Sequence, residues 1–218
     1  MALRATYTCP VRILFLDIAS YNGLLACVTE EKVLVFRPID HRIGDHELVP
    51  LIEDALREAG WSYKDLTHLA CVIGPGGFTS LRVGVSCINA LSWALKIPLA
   101  GIHLSDLYAM RTPQGDTLSF LWLHSTKRTE IFVRGFGDFA EKWPQPTHIT
   151  LDNLLSQVPD PRSQIPYVGE LLPEHRTLIE EVGGVMLSPC PVSDVFPQFL
   201  SSLTYQTQIL QPWYGRGW

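Results

Sequence analysis

A glycine-rich loop separates an apolar segment from a long segment that carries almost no charge. The loop, residues 74–80, reads GPGGFTS and joins an apolar strand-like stretch (66–74) to a helix expected over residues 80–96. Arg82 is the only charged residue between positions 80 and 95. Backbone amides at a helix start can bind an anion, whereas a tight turn uses glycine for its backbone freedom. The loop is therefore either a phosphate cradle or a turn that starts a buried helix.

Neither of two common phosphate-binding patterns fits this loop. No lysine follows the glycines, so it is not a Walker A loop. Gly74 and Gly76 fit the start of the dinucleotide-binding pattern, but Thr79 stands where the third glycine belongs. Pro75 also lacks the backbone N–H that an anion would use. The alternative is a structural turn, in which we expect Thr79 or Ser80 to cap the helix.

The helix after the loop has apolar residues on nearly two faces, where a surface helix needs one. One face is made by Leu81, Gly84, Val85, Ile88 and Leu95, and the other by Val83, Cys87, Ala90, Leu91 and Ala94. Either the helix is sandwiched inside its domain, or one face packs on a sheet and the other on another protein. Small residues along it would permit a second helix to approach closely.

The first half of the chain predicts three strands followed by alternating helices and strands. The expected strands cover residues 11–19, 24–30, 32–39, 66–74 and 97–103. An amphipathic helix is expected over residues 45–60, with Asp45 at its start and Gly60 at its end. This order predicts an antiparallel three-stranded start followed by parallel pairing.

The second half of the chain is less regular. Eleven of the sixteen prolines lie after residue 110, which favours shorter elements and more loops. Residues 111–117 are expected to connect two domains. After them, strands are expected over 118–125 and 129–137, and a short helix over 151–158.

Composition and charge exclude several classes of protein. The chain is 46% hydrophobic and 18% charged, which predicts a globular core. No apolar run approaches the roughly 18 residues of a membrane helix, so we expect a cytoplasmic protein without membrane contact. The net charge of −5, with no lysine or arginine cluster, argues against gripping nucleic acid alone. The five cysteines form no C-x-x-C pair and are expected to be reduced.

Few residues offer chemistry. Asp17 ends the first strand, where α/β folds usually place functional groups. Its carboxylate could hold a metal–water shell or cap the turn that follows. The seven histidines form no zinc-binding motif, and no G-x-S-x-G elbow occurs. The sequence is therefore poorly equipped as an enzyme and predicts no metal site.

Three segments resemble the TsaB (YeaZ) family: ILFLDIAS at 13–20, GPGGFTSLRVGV at 74–85 and PWYGR at 212–216. The resemblance implies an α/β, actin-like or Hsp70-like ATPase fold related to ribonuclease H. Two lobes are implied, each a mixed sheet with flanking helices. The N-terminal lobe would span residues 1–110, and a smaller, divergent lobe residues 111–218.

The resemblance also implies a function. Members of this family are non-catalytic subunits that pair with and activate a TsaD-type subunit, which places threonylcarbamoyl on an adenosine of tRNA. ATP and metal would then bind to the partner rather than to this chain, and tRNA would be held only through the complex. A TsaE-type ATPase is a further expected partner, and a homodimer would compete for the same surface. The alternative is an ATP-dependent enzyme of the same fold, a small kinase or ATPase.

The resemblance places the contact with the partner on the first two helices, residues 46–59 and 80–95. Interface residues carried over from it are Leu48, Ile52, Leu56, Leu81, Val85, Ile88 and Leu95. A vestigial nucleotide or anion site would use Asp17, Gly74, Gly76, Gly77 and Thr79. The chain departs from the family at Ser125, which replaces an aspartate. It also departs from the catalytic relatives at Leu107, four positions after His103, where a second metal-binding histidine would stand. These departures argue against nucleotide turnover by this chain.

Overall fold

The first sheet is built by the N-terminal half of the chain. The structure is a computed structural model that describes residues 10–39, 43–44, 46–112, 118–157 and 164–215. The strands are β1 (Arg12–Asp17), β2 (Gly23–Thr29), β3 (Val33–Ile39), β4 (His68–Gly74) and β5 (Leu99–His103). Their order in the sheet is β3-β2-β1-β4-β5. Strands β1 to β3 pair antiparallel, and β4 and β5 pair parallel, which confirms the predicted arrangement.

Both faces of this sheet are covered, which is why β1 and β4 are almost continuously apolar. Leu14 and Leu16 point to one face and pack against α1 (Leu48–Glu58) and α2 (Phe78–Leu95). Two further helices are α3 (Leu104–Arg111) and α6 (Val192–Ser202). Ile13 and Phe15 point to the other face of the sheet and pack with residues of α3, of α6 and of the second sheet.

The ends of α1 and α2 differ from the sequence expectation in one respect. Helix α1 ends at Glu58 with Ala59 as its C-cap, and Gly60 follows with a φ of +72° and donates its N–H to the Arg57 carbonyl oxygen at 3.0 Å, which fits the predicted role of Gly60 in ending the helix. Asp45, expected at its start, lies outside the described residues. Helix α2 begins earlier than predicted, with Gly77 at its N-cap and no side chain capping it. The prediction that Thr79 or Ser80 caps this helix is therefore wrong, because both lie within its first turn.

The second sheet is built by the later half of the chain. Its strands are β6 (Phe120–Lys127), β7 (Glu130–Phe136), β8 (Thr147–Thr150), β9 (Ile165–Glu170) and β10 (Gly184–Met186), in the order β10-β9-β6-β7-β8. The predicted hairpin is the antiparallel pair β6–β7, and the predicted short helix is α4 (Leu151–Gln157). One further helix, α5 (Pro173–Glu181), follows β9. Two mixed sheets with flanking helices confirm the expected α/β class.

The two lobes share one core and are tied by the C-terminal segment. Trp122 of β6 and Phe196 of α6 are fully buried in the same cluster as Phe15 of the first sheet. The segment after α6 returns to the first lobe, where the backbone N–H of Trp213 donates to the Ile73 carbonyl oxygen at 2.7 Å. Residues 113–117 of the expected connection lie outside the described residues. Among the described helices, none is long and apolar enough to cross a bilayer.

Candidate functional site

Asp17 is bound by its own turn. The side chain is 2% exposed at the end of β1. Its Oδ1 accepts hydrogen bonds from the N–H groups of Ala19 (2.9 Å) and Ser20 (3.1 Å), and its Oδ2 accepts from the Ser20 hydroxyl at 2.5 Å. Burial raises the pKa of Asp17 to about 6, although the Ser20 hydroxyl works in the opposite direction. Of the two roles left open by the sequence, the geometry supports capping of the turn.

At Gly74 and Gly76 the glycine loop passes too close to other backbone for a larger residue. A Cβ atom on Gly74 would lie 2.1 Å from the Trp213 carbonyl oxygen, and one on Gly76 would lie 2.5 Å from the Ala19 carbonyl oxygen. The N–H of Gly77 donates to that same Ala19 oxygen at 2.8 Å. One amide at the start of α2 is therefore already used inside the protein. The loop acts as a tight turn that positions a helix.

A cavity of about 400 Å³ lies beside this loop, between the lobes. Aromatic side chains dominate its wall: Tyr21, Phe78, His124, Phe132, Trp213 and Tyr214. Gly76 and Gly77 also line it, whereas Asp17, Gly74 and Thr79 do not. The structure thus brings only two residues of the expected vestigial nucleotide site to this space.

The polar groups of the cavity give it little charge. Burial lowers the pKa of His124 to about 3, so its ring is neutral. Its Nδ1 and the hydroxyl of Thr126 are buried and find no hydrogen-bond partner in the part of the chain that the structure describes. Lys127 is the cationic residue of the wall, and its Nζ lies 3.6 Å from a Glu130 carboxylate oxygen. An apolar, aromatic wall suits a flat uncharged group better than a polyphosphate.

His103 has a structural position. It caps the N-terminus of α3, where its Nδ1 accepts from the Ser105 N–H at 3.1 Å. Its ring packs against Trp122 and Trp213, with centroids 5.5 and 4.4 Å away. Burial is the main reason why its pKa falls to about 3. Within the described residues, no group of three or more His, Cys, Asp or Glu side chains is placed to hold a metal ion.

A second buried carboxylate, Glu170, was not predicted from the sequence. This residue ends β9 and is 4% exposed. It accepts hydrogen bonds from Tyr21, Asn22 and Tyr108 across the junction of the two lobes. A single acid inside the apolar run IPYVGELL was the one available signal. Ser125, which replaces the family aspartate, is nearby. Its hydroxyl oxygen lies 2.8 Å from His175 Nδ1.

The predicted interface residues lie mostly inside the protein. Leu48, Ile52, Leu56, Leu81, Val85 and Ile88 are buried against the first sheet, and Leu95 is half-buried. These side chains form the chain's own core because they occupy the helix faces that the sheet covers. An interface on α1 and α2 must therefore use their opposite faces.

The opposite face of α2 is partly apolar and faces solvent. We call the outer α2 face the set Val83, Cys87, Ala90, Leu91 and Ala94. Ala90 and Ala94 are exposed, whereas Val83, Cys87 and Leu91 are half-buried and pack at the edge of the chain's own core. Trp93, at the edge of this face, is 84% exposed, and Val49 on the neighbouring α1 is 51% exposed. One face of α2 thus packs on the sheet, as both alternatives from the sequence require, and Ala90, Trp93 and Ala94 are exposed on the far side of the helix.

Comparison with known proteins gives consistent relatives. A protein-family model described as "TsaD: tRNA N6-adenosine threonylcarbamoyltransferase" matches residues 42–163. A tRNA N6-adenosine threonylcarbamoyltransferase from Syntrophus aciditrophicus is 31% identical over 139 residues, covering 53% of this chain and 40% of the relative. The tRNA threonylcarbamoyladenosine biosynthesis protein TsaB from Bacillus subtilis is 22% identical over 177 residues, covering 79% of this chain and 76% of the relative.

Two solved structures from Pseudomonas aeruginosa share the fold. One, described as similar to peptidase YeaZ, has a TM-score of 0.69 at 17% identity, and the match covers 94% of this chain and 100% of the solved chain. The other is YeaZ, with a TM-score of 0.61 at 17% identity, covering 93% of this chain and 99% of its own. The chain spans about two fifths of the length of the first transferase relatives. Because the family model covers more than half of the 218 residues, the chain belongs to the TsaD family, and its resemblance to TsaB (YeaZ) proteins is confirmed.

Proposed function

We propose that this chain is a non-catalytic partner subunit of the tRNA N6-threonylcarbamoyladenosine transferase machinery, which binds and activates a TsaD-type catalytic subunit. Family membership and the match to TsaB along 79% of the chain support a role in this tRNA modification. The observation that carries the partner role is the exposure of Ala90, Trp93 and Ala94 on α2, a helix whose opposite side packs on the first sheet.

The outer α2 face has the character of a helix–helix contact. Ala90 and Ala94 lie one turn apart on it, and such small residues let a second helix axis come close. The exposed Trp93 beside them is the residue type that most often dominates binding energy at interfaces. Exposed apolar patches on soluble proteins commonly mark binding surfaces. The occupant proposed here is the equivalent helical surface of the TsaD-type subunit.

The remaining partners follow from the same proposal. ATP and the metal would bind to the catalytic subunit, and tRNA would be held through the complex, because the net charge of −5 opposes direct phosphate binding. A TsaE-type ATPase would join the assembled complex. A homodimer would use the same apolar face and would therefore compete with the catalytic subunit.

The alternative, an ATP-dependent enzyme of the same fold, has weaker support. It would need Asp17 to hold a metal–water shell. The carboxylate oxygens of Asp17 instead accept three hydrogen bonds from the turn that follows it.

The outer α2 face is tested by a charge placed at its centre. Ala90→Glu is expected to weaken binding to the TsaD-type subunit by about tenfold or more, because association would bury an unpaired carboxylate. Gln198→Glu places the same charge on an exposed position of α6 and is expected to bind as the wild type does. Affinity is measured by titration calorimetry, and stoichiometry by size exclusion with light scattering. Equal affinity of both variants would reject this surface, and no complex with the wild type would reject the proposed function.

A further inference from the structure

Arg82 is the only charged residue of α2, and it stands in line with the exposed small residues of that helix. Four exposed residues follow one another at intervals of four: Arg82, Ser86, Ala90 and Ala94. Residues four apart lie next to each other on one side of a helix. A partner helix laid along this side would therefore meet the guanidinium as well as the alanines.

Two aromatic side chains hold the guanidinium of Arg82 in place. Its central carbon lies 3.8 Å from the centre of the Phe78 ring, which is within the range of a cation–π contact. Its Nε–H donates to the Tyr214 hydroxyl oxygen at 2.9 Å. Among the described residues, its two terminal nitrogens have no hydrogen-bond partner. The group is thus fixed while most of its N–H donors are unused, so binding an anion would cost little side-chain entropy.

This cation has no acid of its own. Among the described residues, no Asp or Glu forms an ion pair with Arg82, whereas Arg12 and Arg37 of the same lobe each have one. The sequence around it supplies none either, because no Asp or Glu occurs between residues 66 and 105. The planar fork of a guanidinium matches the two oxygens of a carboxylate. Arg82 is therefore prepared for an acid that comes from another molecule.

A protein carboxylate suits this position better than a nucleic-acid phosphate. Helix α1 packs on the same face of the first sheet and exposes Glu53, Asp54 and Glu58. The exposed residues that continue from Arg82 along α2 are neutral up to Lys96. A phosphate backbone is bound through several cations at once. A lone guanidinium beside exposed alanines and close to an acidic helix therefore favours a single carboxylate on a protein surface.

A second copy of α2 offers no carboxylate to this arginine. Helix α2 and its C-cap carry only Arg82 and Lys96 as charged residues. Arg82 lies eight positions before Ala90 and Lys96 six positions after it. An antiparallel pair of α2 helices with its two-fold axis at Ala90 would therefore bring Arg82 of one copy towards Lys96 of the other. In a parallel pair the two arginines would face each other, and like charges in contact oppose association.

We propose that Arg82 is the specificity-determining residue of this surface, selecting a partner helix that carries a carboxylate and disfavouring a second copy of this chain. This selection rests on the proposed function, since it takes the outer α2 face as the docking surface for the TsaD-type subunit. Ala90, Ala94 and Trp93 would accept any apolar helix of suitable shape. The charge of Arg82 discriminates by attraction to one partner and by repulsion of the other.

Binding to the TsaD-type subunit tests the attraction. By titration calorimetry, Arg82→Gln is expected to weaken the complex about tenfold, because the partner's carboxylate loses its cation. Arg82→Glu should weaken it about a hundredfold, because two acids would then meet. Arg82→Lys keeps the charge without the planar fork, so its affinity should lie between those of the wild type and Arg82→Gln. Arg128→Glu, at an exposed position of the second lobe, is the matched control and should bind as the wild type does.

Self-association of the isolated chain tests the repulsion without any partner subunit. Arg82→Gln removes one cation from each copy, so its dimer should be at least about threefold tighter than that of the wild type. Added salt screens repulsion between like charges, so it should strengthen association of the wild type more than that of Arg82→Gln. Arg128→Gln is the control and should match the wild type. Sedimentation equilibrium at several salt concentrations measures all three proteins.

A charge exchange identifies the acid on the partner. The exposed Asp and Glu residues of the TsaD-type subunit are changed to Arg one at a time, and each variant is mixed with Arg82→Glu. One of them should bind Arg82→Glu at least about tenfold more tightly than the unchanged subunit does, because the ion pair is restored with its charges reversed. Failure of every exchange would count against a direct carboxylate contact.

Failure of this selection and failure of the proposed function give different results. A wild-type complex whose affinity is unchanged in Arg82→Gln and Arg82→Glu would overturn the selection by charge and leave the proposed function standing. If the wild type formed no complex, the proposed function would be rejected. Equal self-association of Arg82→Gln and the wild type would overturn the repulsion between copies in either case.

Discussion

Two buried carboxylates have different relations to the turn that follows β1. Asp17 shapes the turn locally through Ala19 and Ser20, and Glu170 fixes its position relative to the second lobe. The same turn also contacts the start of α2, because the Ala19 carbonyl oxygen accepts a hydrogen bond from the N–H of Gly77 at 2.8 Å. A change at either acid is therefore expected to reach the start of α2.

Asp17 makes the stability of the protein dependent on pH. Burial is the main reason why the pKa of Asp17 rises from its ordinary value of 3.8 to about 6 in the folded chain. Because the folded state holds the proton more tightly, the free energy of unfolding falls as pH rises from about 4 to 6 and then levels off. Asp17→Asn removes the ionisable group and should abolish this pH-dependent loss in the free energy of unfolding, which is on the order of 2–3 kcal/mol. Urea denaturation of both proteins between pH 4 and 7 measures this, and parallel profiles would contradict it.

At the scale of the element, the two faces of α2 have separate roles. Ile88 faces the first sheet and is fully buried, whereas Ala90 faces solvent two positions later. The inner face therefore contributes to folding, and the outer face is left for association. The residues first expected at the interface belong to the inner face, so substitutions there would disturb the fold before they tested any partner.

This separation predicts opposite results for neighbouring substitutions. Ile88→Ala should lower the free energy of unfolding by about 2–5 kcal/mol, because it leaves a cavity against β1 and β4. Ala90→Glu should change it by no more than about 0.5 kcal/mol. Chemical denaturation of the isolated chain checks both values. A large loss in Ala90→Glu would mean that the outer face is packed in the monomer.

At the scale of the whole molecule, the C-terminal segment holds the lobes in place. Its contact with α2 is a reciprocal pair, in which Asn89 donates its side-chain N–H to the Leu210 carbonyl oxygen and accepts from the Leu210 N–H, both at 2.9 Å. Gln206 pairs with Leu99 at the free edge of β5. The segment thereby covers a sheet edge that would otherwise be open.

Asn89→Ala tests this attachment. Loss of the reciprocal pair should lower the free energy of unfolding by about 1–3 kcal/mol, since Leu210 is buried and its backbone groups lose their partners. Faster hydrogen exchange at the Leu210 amide should accompany it. Asn153→Ala, at an exposed position of α4, is a matched control that is expected to leave exchange at Leu210 unchanged. Equal protection of Leu210 in both variants would show that other contacts hold the segment.

The second lobe was only partly predictable. The hairpin β6–β7 was visible because two apolar runs flank a short polar turn. Strand β10 has three residues and helix α6 contains Pro197, so neither leaves a clear periodic pattern. In the first lobe, helix α3 also went unpredicted, because it starts directly after β5 with no turn residue between them. The elements that were missed are held by contacts with distant segments rather than by local propensity.

The sequence by itself determined the succession of strands and helices along the first lobe, the apolar face of α1 and the turn-forming role of the glycine loop. These follow from local periodicity and backbone freedom, which act over a few residues. Only the tertiary structure decided which face of α2 packs inward and which acid meets the β1–β2 turn. Both faces of α2 are apolar, so periodicity could not rank them until the sheet covered one. Glu170 and Tyr21 are far apart along the chain, and their pairing depends on how the two lobes meet.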